Sequence, residues 1–113
     1  MKLHPDPDVV LLQAAADPAR LAILRRLSAA GEVCACNLTD CCDLSQPTVS
    51  HHLKVLREAG WVSTERRGTW IHYRIRPEAV ARFQGLAAGI EPGNASATAA
   101  LNVGRGQLTV VQL

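Results

Sequence analysis

Residues 43–60 of this 113-residue chain, DLSQPTVSHHLKVLREAG, contain the start and stop signals of one helix. Ser45 can cap the helix N-terminus, and Pro47 lies in the first turn, where its missing amide hydrogen costs little. Gly60 is a typical helix terminator. Apolar residues recur between these signals at helical spacing, namely Val49, Leu53 and Leu56. The pattern predicts a half-buried amphipathic helix.

The opposite side of this helix is polar when successive residues are placed about 100° apart. Gln46 can pair bidentately with adenine, and Ser50 and His51 can donate or accept hydrogen bonds at base edges in a major groove. Lysine and arginine on the same side can bind phosphates. Taken alone, the pattern also fits an ordinary solvated helix face. The predicted DNA contacts of the helix are Gln46, Thr48, Ser50, His51, Lys54 and Arg57.

The segments on either side predict a winged helix-turn-helix. A short helix over residues 38–43 comes just before the amphipathic helix, and strand-forming residues follow it on both sides of the turn at Gly68 and Thr69. Arg66 and Arg67 are next to this turn. Arginines there can contact a DNA backbone or minor groove, although they can also serve only solubility. We favour the DNA contact.

Three further helices are predicted from caps and apolar spacing, over residues 8–16, 18–30 and 77–90. The resulting order is α-α-α-α-β-β-α, a mainly α winged helix with a small β component. We expect residues 1–90 to form one winged-helix domain and residues 91–113 to be a tail of unassigned structure. Because so short a domain buries little of its surface, the apolar side of the last helix is expected to pair with a second chain in a homodimer.

Charge and motif content narrow the functional class. The net charge of +2 is too small to imply nucleic-acid binding, but residues 54–76 hold six lysines and arginines against two acids. Neither a signal-peptide core nor a membrane-spanning run is present, so we expect a cytoplasmic protein without membrane contact. Paired catalytic carboxylates, a phosphate-binding glycine loop and an activated nucleophile are all lacking. We therefore expect neither an enzyme nor an organic cofactor.

Two long segments resemble one known family. They are DPARLAIL at residues 17–24 and SQPTVSHHLKVLREAG at residues 45–60, followed by the hairpin. In this order they resemble the ArsR/SmtB family of metalloregulatory repressors, over roughly residues 9–90. The resemblance implies a homodimeric winged helix on double-stranded operator DNA, with the first and last helices at the dimer interface. It also implies repression that an inducer relieves.

Four cysteines fall within nine residues, at positions 34, 36, 41 and 42. In a reducing compartment such a cluster indicates a thiolate site more than a disulfide framework. The segment CACNL at residues 34–38 resembles the Cys-x-Cys-Asp-Leu element of the family's arsenic- and antimony-sensing members, with Asn37 in place of Asp. This resemblance implies As(III) or Sb(III) as the inducer, and thiolates suit such soft acceptors. Thr39 stands where those members have a third cysteine.

The third thiolate must then come from Cys41 or Cys42. If Asn37 caps the short helix, Cys36 before the cap and Cys41 in the second turn become neighbours, as in a hydrophobic staple. Cys34, in extended chain, would face the same side and complete the site. Cys42 occupies a position that suits a small buried hydrophobe, so we rank it below Cys41. The predicted metal ligands are Cys34 and Cys36, with Cys41 or Cys42.

Other interpretations remain open at this point. Within the same fold the chain can be a sensor of Cd(II) or Pb(II), or a thiol-oxidation switch that uses Cys41 and Cys42. A zinc site on the last helix is disfavoured because no histidine follows His72. In a different class, clustered cysteines suit a metal carrier or a thiol oxidoreductase, although the chain lacks the Cys-x-x-Cys spacing and βαβ pattern of thioredoxin-like enzymes.

Overall fold

The computed structural model describes residues 6–39 and 43–93. Four helices are defined there: α1 (Pro7–Ala15), α2 (Pro18–Ala30), α3 (Gln46–Ala59) and α4 (Pro77–Ala88). Three strands accompany them: β1 (Val33–Cys34), β2 (Val62–Arg67) and β3 (Trp70–Ile75). A single 3-10 turn, Ala35–Asn37, follows β1. This order confirms the predicted winged helix-turn-helix architecture.

The helix boundaries follow from the capping residues that the sequence offers. The Asp17 carboxylate accepts the backbone N–H groups of Ala19 and Arg20 at 3.0 and 3.1 Å and so caps α2. The Ser45 hydroxyl accepts the N–H of Thr48 at 3.4 Å at the start of α3. Gly60, with a φ of 94°, ends α3 in the left-handed conformation. The predicted start and end of α3 are therefore confirmed.

The strands form an antiparallel sheet in the order β1-β3-β2. The hairpin of β2 and β3 runs in register from Val62 opposite Ile75 to Arg67 opposite Trp70. Strand β1 adds two pairs to the far edge of β3, with Cys34 opposite His72. The hairpin agrees with the prediction, whereas β1 was not predicted, because a strand of two residues has no alternating pattern to detect.

Helix α3 lies on the core through one side. Its apolar residues pack with those of α2, of the hairpin and of the segment before α3; the most deeply buried are Ile23, Leu27, Leu38, Val49, Leu53, Leu56 and Val62. Trp61, just after α3, donates its indole N–H to the carbonyl of Leu11 in α1 at 2.8 Å. This bond fixes the end of α3 against the first helix.

Two predicted segments lie partly outside the described residues. Of the short helix expected over residues 38–43, Leu38 and Thr39 have helical conformation, while residues 40–42 are outside. Of the tail expected over residues 91–113, the described part is 91–93, which has no helix or strand. The division into a domain of residues 1–90 and a tail stays a prediction.

Candidate nucleic-acid interface

Helix α3 presents its predicted polar side outward. Val49, Leu53 and Leu56 are at most 2% exposed on the opposite side. Thr48 is half-buried, and its hydroxyl accepts a hydrogen bond from the Ser45 hydroxyl at 2.9 Å, so it serves the cap as well. The other predicted DNA contacts of the helix are exposed: Gln46, Ser50, His51, Lys54 and Arg57. The helix thus has a continuous polar surface about three turns long.

His52, at the edge of that surface, joins α3 to the junction of α1 and α2. Its Nδ1 lies 3.3 Å from Nη1 of Arg20, and because arginine can only donate, Nδ1 is the acceptor. Arg20 also donates through Nε to the carbonyl of Ala14 at 2.6 Å. Burial lowers the pKa of His52, the charge of Arg20 acts in the same direction, and Asp17 opposes both. Sequence reasoning missed this link, because it placed His52 only by helix angle.

The two arginines next to the hairpin turn differ in their surroundings. Arg67 donates to both carboxylate oxygens of Glu32, at 2.6 and 3.0 Å, and to Glu65 at 2.9 Å. Arg66 is exposed and takes part in no ion pair within residues 6–39 and 43–93. Both arginines stay predicted DNA contacts, but only Arg66 is free of an acidic partner among the described residues.

Glu32, just before β1, interacts with three basic side chains of the hairpin. Besides Arg67, its carboxylate accepts from Arg74 at 3.1 Å and lies 3.4 Å from Nδ1 of His72. The hydrogen bonds from Arg67 lower the pKa of Glu32, aided by the charges of Arg67, Arg74 and His72. Glu32 lies outside residues 54–76, so the sequence-based charge count did not include its carboxylate. The carboxylate lies beside the hairpin because β1, which was not predicted, pairs with β3.

The two described cysteines lie next to each other. Cys34 is buried at the end of β1, and Cys36 is exposed in the following 3-10 turn. The backbone N–H of Cys36 donates to Sγ of Cys34 at 3.4 Å. Contact with the Cys34 side chain raises the pKa of Cys36, and burial adds to the increase.

The prediction that Asn37 caps the short helix stays a prediction, because that helix continues into residues 40–42, outside the described residues. Cys34 caps the 3-10 turn with its sulfur, and Asn37 is the last residue of that turn. The chain therefore begins to coil at Ala35, one turn before the predicted short helix, with the Cys34 sulfur as acceptor for the Cys36 amide. Cys36 lies inside this turn, and its predicted proximity to Cys41 stays a prediction. Cys41 and Cys42 lie outside the described residues.

Cys34 and Cys36 line a groove of about 290 Å³ that also contains Gln46 and Ser50 of α3. Trp70 of β3 closes the groove on the hairpin side and is 56% exposed. Among the described residues, which include two of the four cysteines, no group of three or more potential metal ligands occurs. The thiol pair and the polar surface of α3 nevertheless share one groove.

A second exposed surface is apolar and lies on α1 and α4. Val9 and Leu12 on α1 are 44% and 40% exposed, and Phe83 on α4 is 41% exposed. Such a concentration of large apolar side chains typically marks an interface. Helices α1 and α4 are those predicted to meet a second chain. In the described part of the chain, no helix has the length and apolar character needed to cross a membrane.

Comparison with known sequences gives a consistent result. Residues 17–64 match the family model described as "Bacterial regulatory protein, arsR family". The arsenical resistance operon repressor of Escherichia coli K12 is 44% identical over 69 residues, which cover 61% of this chain and 59% of that protein. This chain thus spans less than two thirds of that relative. A probable mercury resistance operon repressor of Streptomyces lividans is 35% identical over 83% of this chain and 74% of its own length.

Solved structures agree with the sequence matches. A possible transcriptional regulator for arsenical resistance superposes with a TM-score of 0.65 at 33% identity, covering 70% of this chain and 81% of that one. The antimony-specific transcriptional repressor AntR superposes with a TM-score of 0.59 at 31% identity, covering 71% and 72% of the two chains. The chain belongs to the ArsR family of bacterial regulatory proteins, whose members are transcriptional regulators and not enzymes.

Proposed function

We propose that this protein is a homodimeric, DNA-binding repressor of an arsenic-resistance operon. The observation that carries the proposal is the exposed polar side of α3 opposite a fully buried apolar side. A helix held in this way can enter a major groove without disturbing the core. The name of the E. coli relative, an arsenical resistance operon repressor, supports the choice of operon.

In the proposed complex, α3 supplies the base contacts. Gln46, Ser50 and His51 lie on its exposed side and have the donors and acceptors that base edges require. Lys54, Arg57 and, on the hairpin, Arg66 are exposed cations suited to phosphates. In a two-fold dimer the second copy of α3 would reach the next major groove, one helical turn along the DNA.

The proposed inducer is As(III) or Sb(III), bound by Cys34, Cys36 and one of the two following cysteines. Each thiol would replace one hydroxide of arsenous acid: a sulfur–arsenic bond forms, an arsenic–oxygen bond breaks, and the thiol proton leaves with the hydroxide as water. No electron transfer is involved. Cys34 and Cys36 line the same groove, which supports their use as two ligands of one ion. The solved relative AntR, an antimony-specific repressor, supports a metalloid.

Release from DNA would follow from the shared groove. An ion bound to Cys34 and Cys36 would lie beside Gln46 and Ser50, which are proposed to contact bases. Pulling a third cysteine toward this pair would also move the segment that connects the 3-10 turn to α3. A ligand that favours this arrangement shifts the dimer away from its DNA-binding state.

A second candidate inducer is another thiophilic ion. The S. lividans relative is named a probable mercury resistance operon repressor, and two adjacent thiolates suit Hg(II) as well as Cd(II) or Pb(II). A thiol-oxidation switch is a further alternative.

An operator titration tests both parts of the proposal. Fluorescence anisotropy would measure binding to DNA from upstream of the protein's own gene, at fixed salt, with and without arsenite, Hg(II), Cd(II) and peroxide. We expect nanomolar-range binding that arsenite weakens by at least tenfold, as typical coupling energies imply.

The variants separate the two sites. The double variant C34S/C36S should bind DNA normally but lose the arsenite response, whereas Arg57→Gln should weaken DNA binding. Arg26→Gln, an exposed arginine on α2, removes the same charge away from the proposed surface and serves as control. An arsenite response that survives in C34S/C36S would exclude this inducer site.

A further inference from the structure

The carboxylate of Glu32 accepts hydrogen bonds from Arg67 and Arg74 and lies 3.4 Å from Nδ1 of His72. We infer that Glu32 competes with DNA phosphates for the arginines of the hairpin and so limits how tightly the protein holds DNA of any sequence. This inference rests on the proposed DNA-binding function. It assigns Glu32 as a specificity-determining residue that acts through the arginines without touching DNA.

The geometry is that of an arginine bound to an oxyanion. Arg67 offers two guanidinium nitrogens to the two oxygens of Glu32, at 2.6 and 3.0 Å. Arginine binds phosphate oxygens in the same forked manner. A DNA phosphate therefore needs the same donors that Glu32 already occupies.

The sheet register places the competing groups together. Residues directly opposite each other in an antiparallel pair share a face, so Glu65 lies with His72, and Ser63 with Arg74. Arg67, two residues after Glu65 on the same strand, faces the same side. Arg66 faces the other side, opposite Ile71. The hairpin thus has one face where cations are neutralised and another that carries Arg66.

The exposed fractions of the side chains show which group a DNA phosphate can replace. The Glu32 side chain is 21% exposed, whereas those of Arg67 and Arg74 are 47% and 60% exposed. The carboxylate is held near the sheet while both guanidinium groups reach solvent. Exposed ion pairs add little to stability, so a phosphate can replace the carboxylate without a large loss of fold stability.

Salt dependence of DNA binding measures this competition. Affinity for the operator and for a mixed-sequence duplex would be measured over a range of salt for wild type, Glu32→Gln and Glu91→Gln. Glu91, after α4, is exposed and takes part in no ion pair among the described residues, so its variant controls for the change of net charge without releasing an arginine.

We expect Glu32→Gln to bind the mixed duplex more tightly. Each additional arginine–phosphate interaction per DNA site should steepen the slope of log K against log salt by about 0.9, so one from each protomer gives about 1.8. Because of this steeper slope, the ratio of variant to wild-type affinity should be roughly twelvefold larger at about 50 mM salt than at about 200 mM. Operator preference should fall, and Glu91→Gln should behave as wild type does.

Arginine variants in the wild-type background provide a second test that does not depend on the folding of Glu32→Gln. In the wild-type background, Arg66→Gln should weaken binding to the mixed duplex more than Arg67→Gln does. In the Glu32→Gln background, Arg67→Gln should remove most of the increase in affinity. Urea unfolding would verify that each variant is folded. An unchanged salt slope in folded Glu32→Gln, or equal losses for Arg66→Gln and Arg67→Gln, would overturn the inference.

The outcome is distinguishable from failure of the proposed function. If the wild type shows no preference for the operator, the repressor proposal fails, while the mixed-duplex comparison still measures the effect of Glu32. If the operator is preferred but Glu32→Gln matches wild type, only the inference fails.

Discussion

Single side chains determine how α3 packs against the rest of the domain as well as which groups it exposes to solvent. His52 accepts a hydrogen bond from Arg20, which a protonated imidazole could not do. Burial and the neighbouring guanidinium both lower the pKa of His52, so the folded protein favours its neutral form. A proton on His52 would therefore oppose the contact between α3 and the junction of α1 and α2.

Stability should fall in mild acid because of this residue. The unfolded chain binds a proton at the ordinary histidine pKa of 6.5, whereas the folded chain binds it only at lower pH. The stabilising contribution is complete above the unfolded pKa and decreases as pH falls below it toward the folded value. Urea midpoints at about pH 7.5 and 5.5 should differ less for His52→Gln than for wild type. Equal pH dependence in the two proteins would contradict this assignment.

At the scale of elements, the sequence predicted the helices and strands that have strong local signals. The cap at Ser45, the terminator Gly60 and the apolar spacing between them were sufficient to give α3 and its outward side. Strand β1 and the 3-10 turn were not predictable in the same way. Their short segments are defined by pairing with β3 and by the Cys34 sulfur, which are long-range or unusual contacts. The position of Glu32 beside the hairpin depends on that pairing and was missed with it.

The end of α3 gives a test at this scale. Gly60 has a φ of 94°, where a side chain is strained, so Gly60→Ala should destabilise the fold by about 1 to 2 kcal/mol. Gly85, inside α4, has no described atom within 4 Å of an added Cβ. Gly85→Ala should therefore stabilise the fold by about 0.5 to 1 kcal/mol. Urea unfolding measures both, and a neutral Gly60→Ala would show that the helix end can relax.

For the whole molecule, the exposed apolar surface of α1 and α4 is the feature that a second copy would explain. Val9, Leu12 and Phe83 would otherwise remain in water on a small domain. A two-fold pairing through these helices would leave the polar side of α3 available in both copies. DNA binding and dimer formation would then depend on each other.

Charge placed in this surface should separate the copies. Leu12→Glu introduces a carboxylate at a side chain that is 40% exposed in the single chain. We expect a monomer by sedimentation equilibrium at micromolar concentration, with operator affinity reduced at least tenfold because half of the contacts are lost. Gln13→Glu, the next residue and also exposed, adds the same charge as a control. A Leu12→Glu protein that stays dimeric would place the interface elsewhere.

Strand β1 is at the edge of the sheet and consists of two residues. Detaching β1 breaks its two residue pairs with β3 and exposes the buried side chains of Val33 and Cys34, whereas α3 is anchored along its whole length by buried leucines and valine. Such a local opening exposes less buried surface than global unfolding does and therefore needs less free energy. The Cys34 sulfur, buried at rest, can therefore reach solvent when the edge of the sheet opens, and under the proposed function the frequency of that event would limit how quickly an inducer ion binds.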